Sequence, residues 1–166
     1  NELKGVKSSC IHCPVTCGRQ VEVEGAGVVK GPEYETLALL GSNLEISDLK
    51  EISEWNYLAD DLGMDTISLG ATLSFAMELR EKGMLAIDLE FGEAAGISEL
   101  IRDVAHRSGI GDVLADGSKR MSERYGGSDF AMHVKGMEMS AYDPRGSYAQ
   151  GVEYATTNRG GCHVQG

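Results

Sequence analysis

The sequence predicts a mainly α fold, built of irregular helical domains with a short β-hairpin near the N-terminus. Three observations predict it. Apolar residues recur at helical spacing through much of residues 33–125, and glycine closes most of these stretches. One short stretch instead alternates with the period of a strand: Val21-Glu22-Val23-Glu24, a Gly25-Ala26-Gly27 turn, then Val28-Val29. At 42% hydrophobic residues the chain can bury a core, so an ordered fold is expected.

Taken in order, residues 8–19 form a cysteine loop, and the alternating valines after it form the hairpin. Beyond Gly31-Pro32 the pattern turns helical, with Leu37, Leu40 and Leu44 facing the core. Ser47 is the expected N-cap of the next helix, whose apolar positions are Leu49, Ile52, Leu58 and Leu62 and whose stop is Gly63. A strongly apolar helix follows over 66–82, ending at Gly83. Its apolar residues lie on more than one face, so it is expected to be buried on more than one side. Residues 92–96 are a loop. Ser98 is the expected cap of a helix through Leu100, Ile101, Val104 and Ala105, ending at Gly109. Asp112 is the expected cap of another, with Val113, Leu114, Met121 and Tyr125, ending at Gly126-Gly127. Residues 130–134 could form a short strand. From Gly136 the chain is rich in Gly, Pro and Arg with interleaved aromatics, a composition suited to a site-forming segment. Two units are expected: 1–125, a helical domain with the cysteine loop and hairpin, and 126–166, the start of a second helical domain.

The net charge of -11 makes a nucleic-acid partner unfavourable, because such a surface repels phosphate. No run of about 18 uncharged residues occurs, so no membrane-spanning helix is expected. The chain starts at Asn1 and stops directly after a dense motif, as an internal piece of a longer protein would. Three of the four cysteines crowd between Cys10 and Cys17, which suits a metal or cluster in a reducing compartment better than a disulfide framework. A cytoplasmic location is expected.

Four motifs carry chemistry. Cys10-x2-Cys13-x3-Cys17 offers three thiolates from one loop, enough to begin an iron–sulfur or zinc site. A cubane cluster usually takes a fourth ligand. Within the chain Cys162 is the candidate, and for zinc His12 or His163 would serve. Asp60-Asp61-Leu62-Gly63-Met64-Asp65-Thr66 crosses from one helix end to the next start. Its carboxylates can accept hydrogen bonds from a ligand such as a pterin, or simply cap helices. Glu33-Tyr34-Glu35 places two carboxylates around a ring at a helix start, where they complement the dipole; a buried one could act as acid or base. Ala141-Tyr142-Asp143-Pro144-Arg145-Gly146 and Asn158-Arg159-Gly160-Gly161-Cys162-His163 bring proton donors beside glycine backbone. His163 could polarise a carbonyl or be structural.

Together and in this order, the motifs resemble those of the aldehyde ferredoxin oxidoreductase family. The matching strings are Cys-x2-Cys-Pro-x2-Cys-Gly-Arg, Gly-Pro-Glu-Tyr-Glu-Thr, Asp-x2-Gly-Met-Asp-Thr-Ile-Ser, Ala-Tyr-Asp-Pro-Arg-Gly and Tyr-Ala-Thr-x-Asn-Arg-Gly-Gly-Cys-His, spanning Cys10 to His163. The resemblance implies a tungsten (or molybdenum) ion held by two pterins beside a [4Fe–4S] cluster, oxidation of an aldehyde substrate to a carboxylic acid, and ferredoxin as electron acceptor. It also allows a homodimer of the full-length enzyme. It assigns Cys10, Cys13 and Cys17 to the cluster, Asp60, Gly63 and Asp65 to the first pterin motif, and Glu35, His163 and Tyr142 to the reacting centre. The family's fourth cluster cysteine belongs to a later motif, so Cys162 is not its equivalent.

The second pterin motif and the amino-terminal β domain are absent from the sequence. Both cofactors are therefore expected to be missing or incomplete on this chain alone, which would then be inactive. Relatives with a bridging iron use Glu-x2-His, where this chain reads Glu54-Trp55-Asn56-Tyr57. The rival readings are a subunit of a related tungsten enzyme that reduces an aromatic acyl-CoA thioester, a simple iron–sulfur electron-transfer module and a structural zinc module.

Overall fold

A computed structural model describes residues 5–165 of the chain. Residues 1–4 and 166, the outer ends of the two expected units, lie outside it. Helix makes up 45% and strand 11% of the described residues, so the mainly α expectation holds.

The expected hairpin forms from β2 (Gly18–Val23) and β3 (Gly27–Lys30), with Val21 opposite Val29 and Val23 opposite Gly27. Gly25 and Gly27 both turn with positive φ, which glycine adopts without cost to a Cβ. Val21 and Val23 point inward and are buried, while Glu22 and Glu24 are exposed, as strand alternation requires. A third strand was not expected: β1 (Val6–Ser8) pairs antiparallel with β2, Val6 opposite Gln20. Three residues are too few to show a period. The cysteine loop thereby becomes the connection between β1 and β2.

The first helical segment begins as α1 (Tyr34–Thr36), widens into a π turn (Leu37–Gly41) and tightens into a 3₁₀ turn (Ser42–Leu44). Leu40 and Leu44 are fully buried as expected, and Leu37 is partly buried. α2 (Leu49–Asp61) is capped by Asp48, whose side chain accepts from the backbone N–H of Lys50 at 2.8 Å, one residue later than the expected Ser47. A carboxylate at that position reaches the second helical amide directly. Of its expected apolar positions, Ile52 and Leu58 are buried, Leu62 is partly buried and Leu49 is exposed; Trp55, which was not among them, is fully buried.

α3 (Thr66–Glu81) runs through the centre and buries residues around its whole girth, from Leu69 and Leu73 to Phe75, Met77 and Leu79. Its Gly70 lies against the π turn: a Cβ there would come within 2.6 Å of the Leu39 carbonyl group. Glycine is what lets these two backbones approach.

α4 (Ile97–His106) starts at Gly96, not at Ser98. Ser98 lies inside the first turn, where its hydroxyl accepts from Trp55 Nε1 (3.1 Å) and donates to Glu54 (2.9 Å), tying α4 to α2. The helix ends at Arg107, which takes a left-handed conformation before Gly109 is reached.

The helix expected from Asp112 is two helices, α5 (Gly111–Leu114) and α6 (Gly117–Tyr125), and Asp112 lies within α5 rather than capping it. Gly117 at φ +78 makes the break. The buried Glu138 carboxylate then accepts from both the N–H and the hydroxyl of Ser118 at 2.8 Å.

Of the strand expected over 130–134, only β4 (His133–Val134) forms, paired with β5 (Met137–Glu138) across Lys135-Gly136. Both turn residues have positive φ, the hairpin turn that matches strand twist. α7 (Tyr148–Thr156) was not expected, since Gly151 interrupts its apolar pattern. The core lies among α2, α3, α4 and α6, with Trp55, Leu73, Met77, Leu79, Ile101 and Met121 sealed from solvent. Among the described residues, no helix is long and apolar enough to cross a membrane.

Candidate functional site

Glu35 stands in the first turn of α1, where its carboxylate also complements the helix dipole. One carboxylate oxygen, Oε2, accepts from the backbone N–H of Ala141 at 2.8 Å. The other, Oε1, is buried and has no hydrogen-bond partner. A buried acceptor without a donor is costly, and such sites mark places for a ligand, proton or catalytic role. The hydroxyl of Tyr34 reaches the carbonyl of the same Ala141 at 3.4 Å, so the start of α1 grips both polar groups of that residue.

Glu35 lines a recess of about 220 Å³ together with Lys30, Asn56, Asp60, Asp65 and His163. They arrive from several elements. Lys30 ends β3, Asn56 and Asp60 come from α2, Asp65 caps α3, and His163 follows α7. Thr36 and Thr66 fasten the recess floor through a 2.8 Å hydroxyl pair between α1 and α3. Tyr142 packs over His163 with ring centroids 5.7 Å apart, and Tyr34 packs on Tyr142 at 5.6 Å. Glu35, Asp60, Asp65 and His163 are thus brought to one concave surface, with Tyr142 stacked beside it.

Asp65 is also the N-cap of α3, accepting from Ser68 N–H at 2.8 Å. The capping reading of this motif is therefore structurally correct, and any ligand contact by Asp65 is additional to it. Gly63 stops α2 at φ +73, with Met64 N–H bonding back to Ala59. It does not line the recess holding Glu35. It lines an adjacent cavity of about 510 Å³ bounded by α3, α4 and the β4–β5 turn, and Met64 and Asp65 form the wall shared by the two.

Lys30 lines the recess from the end of β3. Its Nζ pairs with Glu33 at 2.7 Å, and its carbonyl accepts from Asn56. The bond to Glu33 raises the ammonium above its ordinary value against the effect of burial, helped by the charges of Glu33, Asp60 and Cys10.

Cys10 and Cys17 are exposed and Cys13 is half-buried. The loop is curled by positive φ at His12 and Thr16 and by a bond from Cys13 N–H to the Cys10 carbonyl. Arg19 Nη1 gathers the carbonyls of Thr16, Cys17 and Gly18 at 3.3, 3.4 and 2.8 Å, fixing the exit of the loop. Among the described residues, no group of three His, Cys, Asp or Glu side chains is already disposed to hold a metal ion. The donors nonetheless suit an iron–sulfur cluster: three thiols on one curled, solvent-reaching loop. Cys162 is buried, with Arg159 near its sulfur.

Three contributors escaped sequence reasoning: the Ala141 amide, Lys30 and Tyr154. Tyr154 is buried on α7, with its hydroxyl 2.6 Å from Ser140 Oγ and 3.4 Å from the carbonyls of Ser140 and Tyr142. Burial pushes this phenol up, the Ser140 hydroxyl opposes the shift, and the Glu35 and Glu153 carboxylates add to it.

Residues 2–166 match the family described as "Aldehyde ferredoxin oxidoreductase, domains 2 & 3". The chain is 49% identical over 164 residues to the tungsten-containing aldehyde ferredoxin oxidoreductase of Thermococcus kodakarensis, covering 94% of this chain and 27% of the relative. It is 48% identical over 164 residues to the enzyme of the same name from Pyrococcus furiosus, with the same coverage. Among solved structures, it resembles the active-site complex BamBC of benzoyl coenzyme A reductase, bound to 1,5-dienoyl-CoA. That likeness has a TM-score of 0.73 at 26% identity, over 95% of this chain and 25% of that one. The chain thus spans about a quarter of the length of the relatives it matches. On the profile match and these identities, the chain belongs to the aldehyde ferredoxin oxidoreductase family.

Proposed function

We propose that this chain forms one wall of the active site of a tungsten-bis-pterin oxidoreductase that oxidises aldehydes to carboxylic acids and passes the electrons through a [4Fe–4S] cluster to ferredoxin. The observation that carries the reading is the unbonded, buried Oε1 of Glu35 in a recess shared with His163, Asp60 and Asp65. Cys10, Cys13 and Cys17 would hold three corners of the cluster. Asp60 and Asp65, with Gly63 opening the backbone between them, would receive the N–H groups of a pterin.

Oxidising an aldehyde to an acid adds one oxygen and releases two electrons and two protons. The metal–pterin group, when bound, supplies the two-electron redox chemistry. The chain's own residues handle positions and protons. His163 donates a hydrogen bond to the aldehyde oxygen, stabilising the negative charge that grows there as water adds. Glu35 accepts the proton of that water at Oε1, while the Ala141 N–H holds Oε2 and so aims the carboxylate. Tyr142 fixes the imidazole by stacking and lines the substrate side.

The division into 1–125 and 126–166 belongs to the same proposal. Its support is the pair Gly126-Gly127, both at positive φ, which separates α6 from the site-forming segment. Ferredoxin as partner, a homodimer and a cytoplasmic location are also part of it. The likeness to the benzoyl-CoA reductase complex favours one second reading, reduction of an aromatic acyl-CoA thioester. The two are separated by assaying the full-length enzyme with aldehydes and ferredoxin against aromatic acyl-CoA and a low-potential donor. Aldehyde oxidation alone supports the first reading, and reduction of the aromatic acyl-CoA alone overturns it.

A further inference from the structure

We propose that Tyr154 is a positioning residue, whose hydroxyl holds the 140–142 segment so that the Ala141 amide aims the Glu35 carboxylate and Tyr142 supports His163. The inference rests on the reading of Glu35 as the proton acceptor.

Glu35 has one hydrogen-bonded anchor, the Ala141 N–H, and that anchor lies in irregular backbone. The nearest backbone hydrogen bonds around it are Met139 N–H to Met132 and Gly146 N–H to Asp143. Between them the segment depends on side chains. Tyr34 reaches the Ala141 carbonyl from α1. From α7 the Tyr154 hydroxyl meets Ser140 Oγ at 2.6 Å and lies 3.4 Å from the carbonyls of Ser140 and Tyr142, the residues flanking Ala141. One hydroxyl therefore brackets the residue that holds the carboxylate and the residue that stacks on the imidazole. The ring of Tyr154 fills space in the fold, as Phe would. The hydroxyl contacts are what Phe would lose. Small misplacements of reacting groups are magnified in rate, about a hundredfold per ångström.

The test is Tyr154→Phe in the full-length, tungsten-loaded enzyme, with three readouts. Hydrogen exchange is followed by mass spectrometry on the peptide covering 139–147, kcat and KM are measured with an aldehyde, and tungsten is counted. Exchange should quicken roughly tenfold and kcat should fall roughly tenfold, the effect of one lost hydrogen bond, with KM and tungsten unchanged. Ser140→Ala removes a partner of the same hydroxyl without touching α7 packing, and should move exchange and kcat in the same direction by a smaller factor. Unchanged kcat in both variants, or a fall in kcat matched by lost tungsten, overturns the proposal. Glu35→Gln is run beside them. If it keeps full activity, the reading of Glu35 fails. If it is inactive while Tyr154→Phe is fully active, the role of Tyr154 alone fails.

Discussion

The carboxylate of Glu35 and the backbone N–H of Ala141 meet at 2.8 Å across 106 positions of sequence. This charge-assisted bond ties the first helical turn to the segment before α7, and it leaves Oε1 free for chemistry. Glu35→Ala should destabilise the chain by about 1–3 kcal/mol, since the amide loses its acceptor. Glu35→Gln keeps an acceptor and should fold normally, yet lose turnover in the full-length enzyme. Urea midpoints and aldehyde turnover check the pair; equal destabilisation by both variants would contradict it.

The contact between Gly70 and the Leu39 carbonyl predicts that Gly70→Ala is harmful although alanine favours helix. A Cβ at 2.6 Å from backbone atoms must push α3 off the π turn, at a cost of about 1–3 kcal/mol. A urea midpoint at or above that of the parent chain would show that the two backbones separate freely.

Asp143 accepts from Arg145 through the backbone N–H, Nε and Nη2, and these bonds hold its carboxyl down to about 2. A depressed carboxyl contributes fully above its ordinary value of 3.8 and loses that contribution as pH falls through about 2. The turn over residues 143–146 should therefore stay closed at pH 4 and loosen only in strong acid. A carboxyl-carbon NMR titration of Asp143 with a midpoint near 4 would refute this.

The cysteine loop predicts a contrast within the thiols. In the full-length enzyme Cys13→Ser should lower cluster iron, while Cys162→Ser, in a buried position next to Arg159, should leave it unchanged. Iron analysis that reversed this order would reassign the ligands.

Much of the fold could be read directly. The 66–82 helix was legible because its apolar residues lie on more than one face, and the hairpin because its valines alternate. Boundaries failed where a neighbour decided them. Asp48 displaced Ser47 as cap, Ser98 was drawn inside α4 by Trp55 and Glu54, and Gly117 split one helical pattern into two. At the site, residue types with distinctive chemistry could be picked out, and Glu35, Asp60, Asp65 and His163 do share a recess. The Ala141 amide could not, because every residue but proline carries a backbone N–H and only the fold selects one. Tyr154 was visible merely as part of a motif, with nothing in its sequence context to show that its hydroxyl turns toward Ser140.

We propose that the recess beside Glu35 receives a tungsten–pterin group through Asp60, while His163 faces substrate. Tungsten content, measured on the full-length enzyme and on its Asp60→Ala and His163→Ala variants, tests it most directly, with turnover followed in parallel. Asp60→Ala should lose tungsten and activity together. His163→Ala should keep its tungsten and lose about a hundred- to thousandfold in rate, the cost of one such donor. Tungsten lost from His163→Ala, with Asp60→Ala fully loaded and fully active, would contradict it.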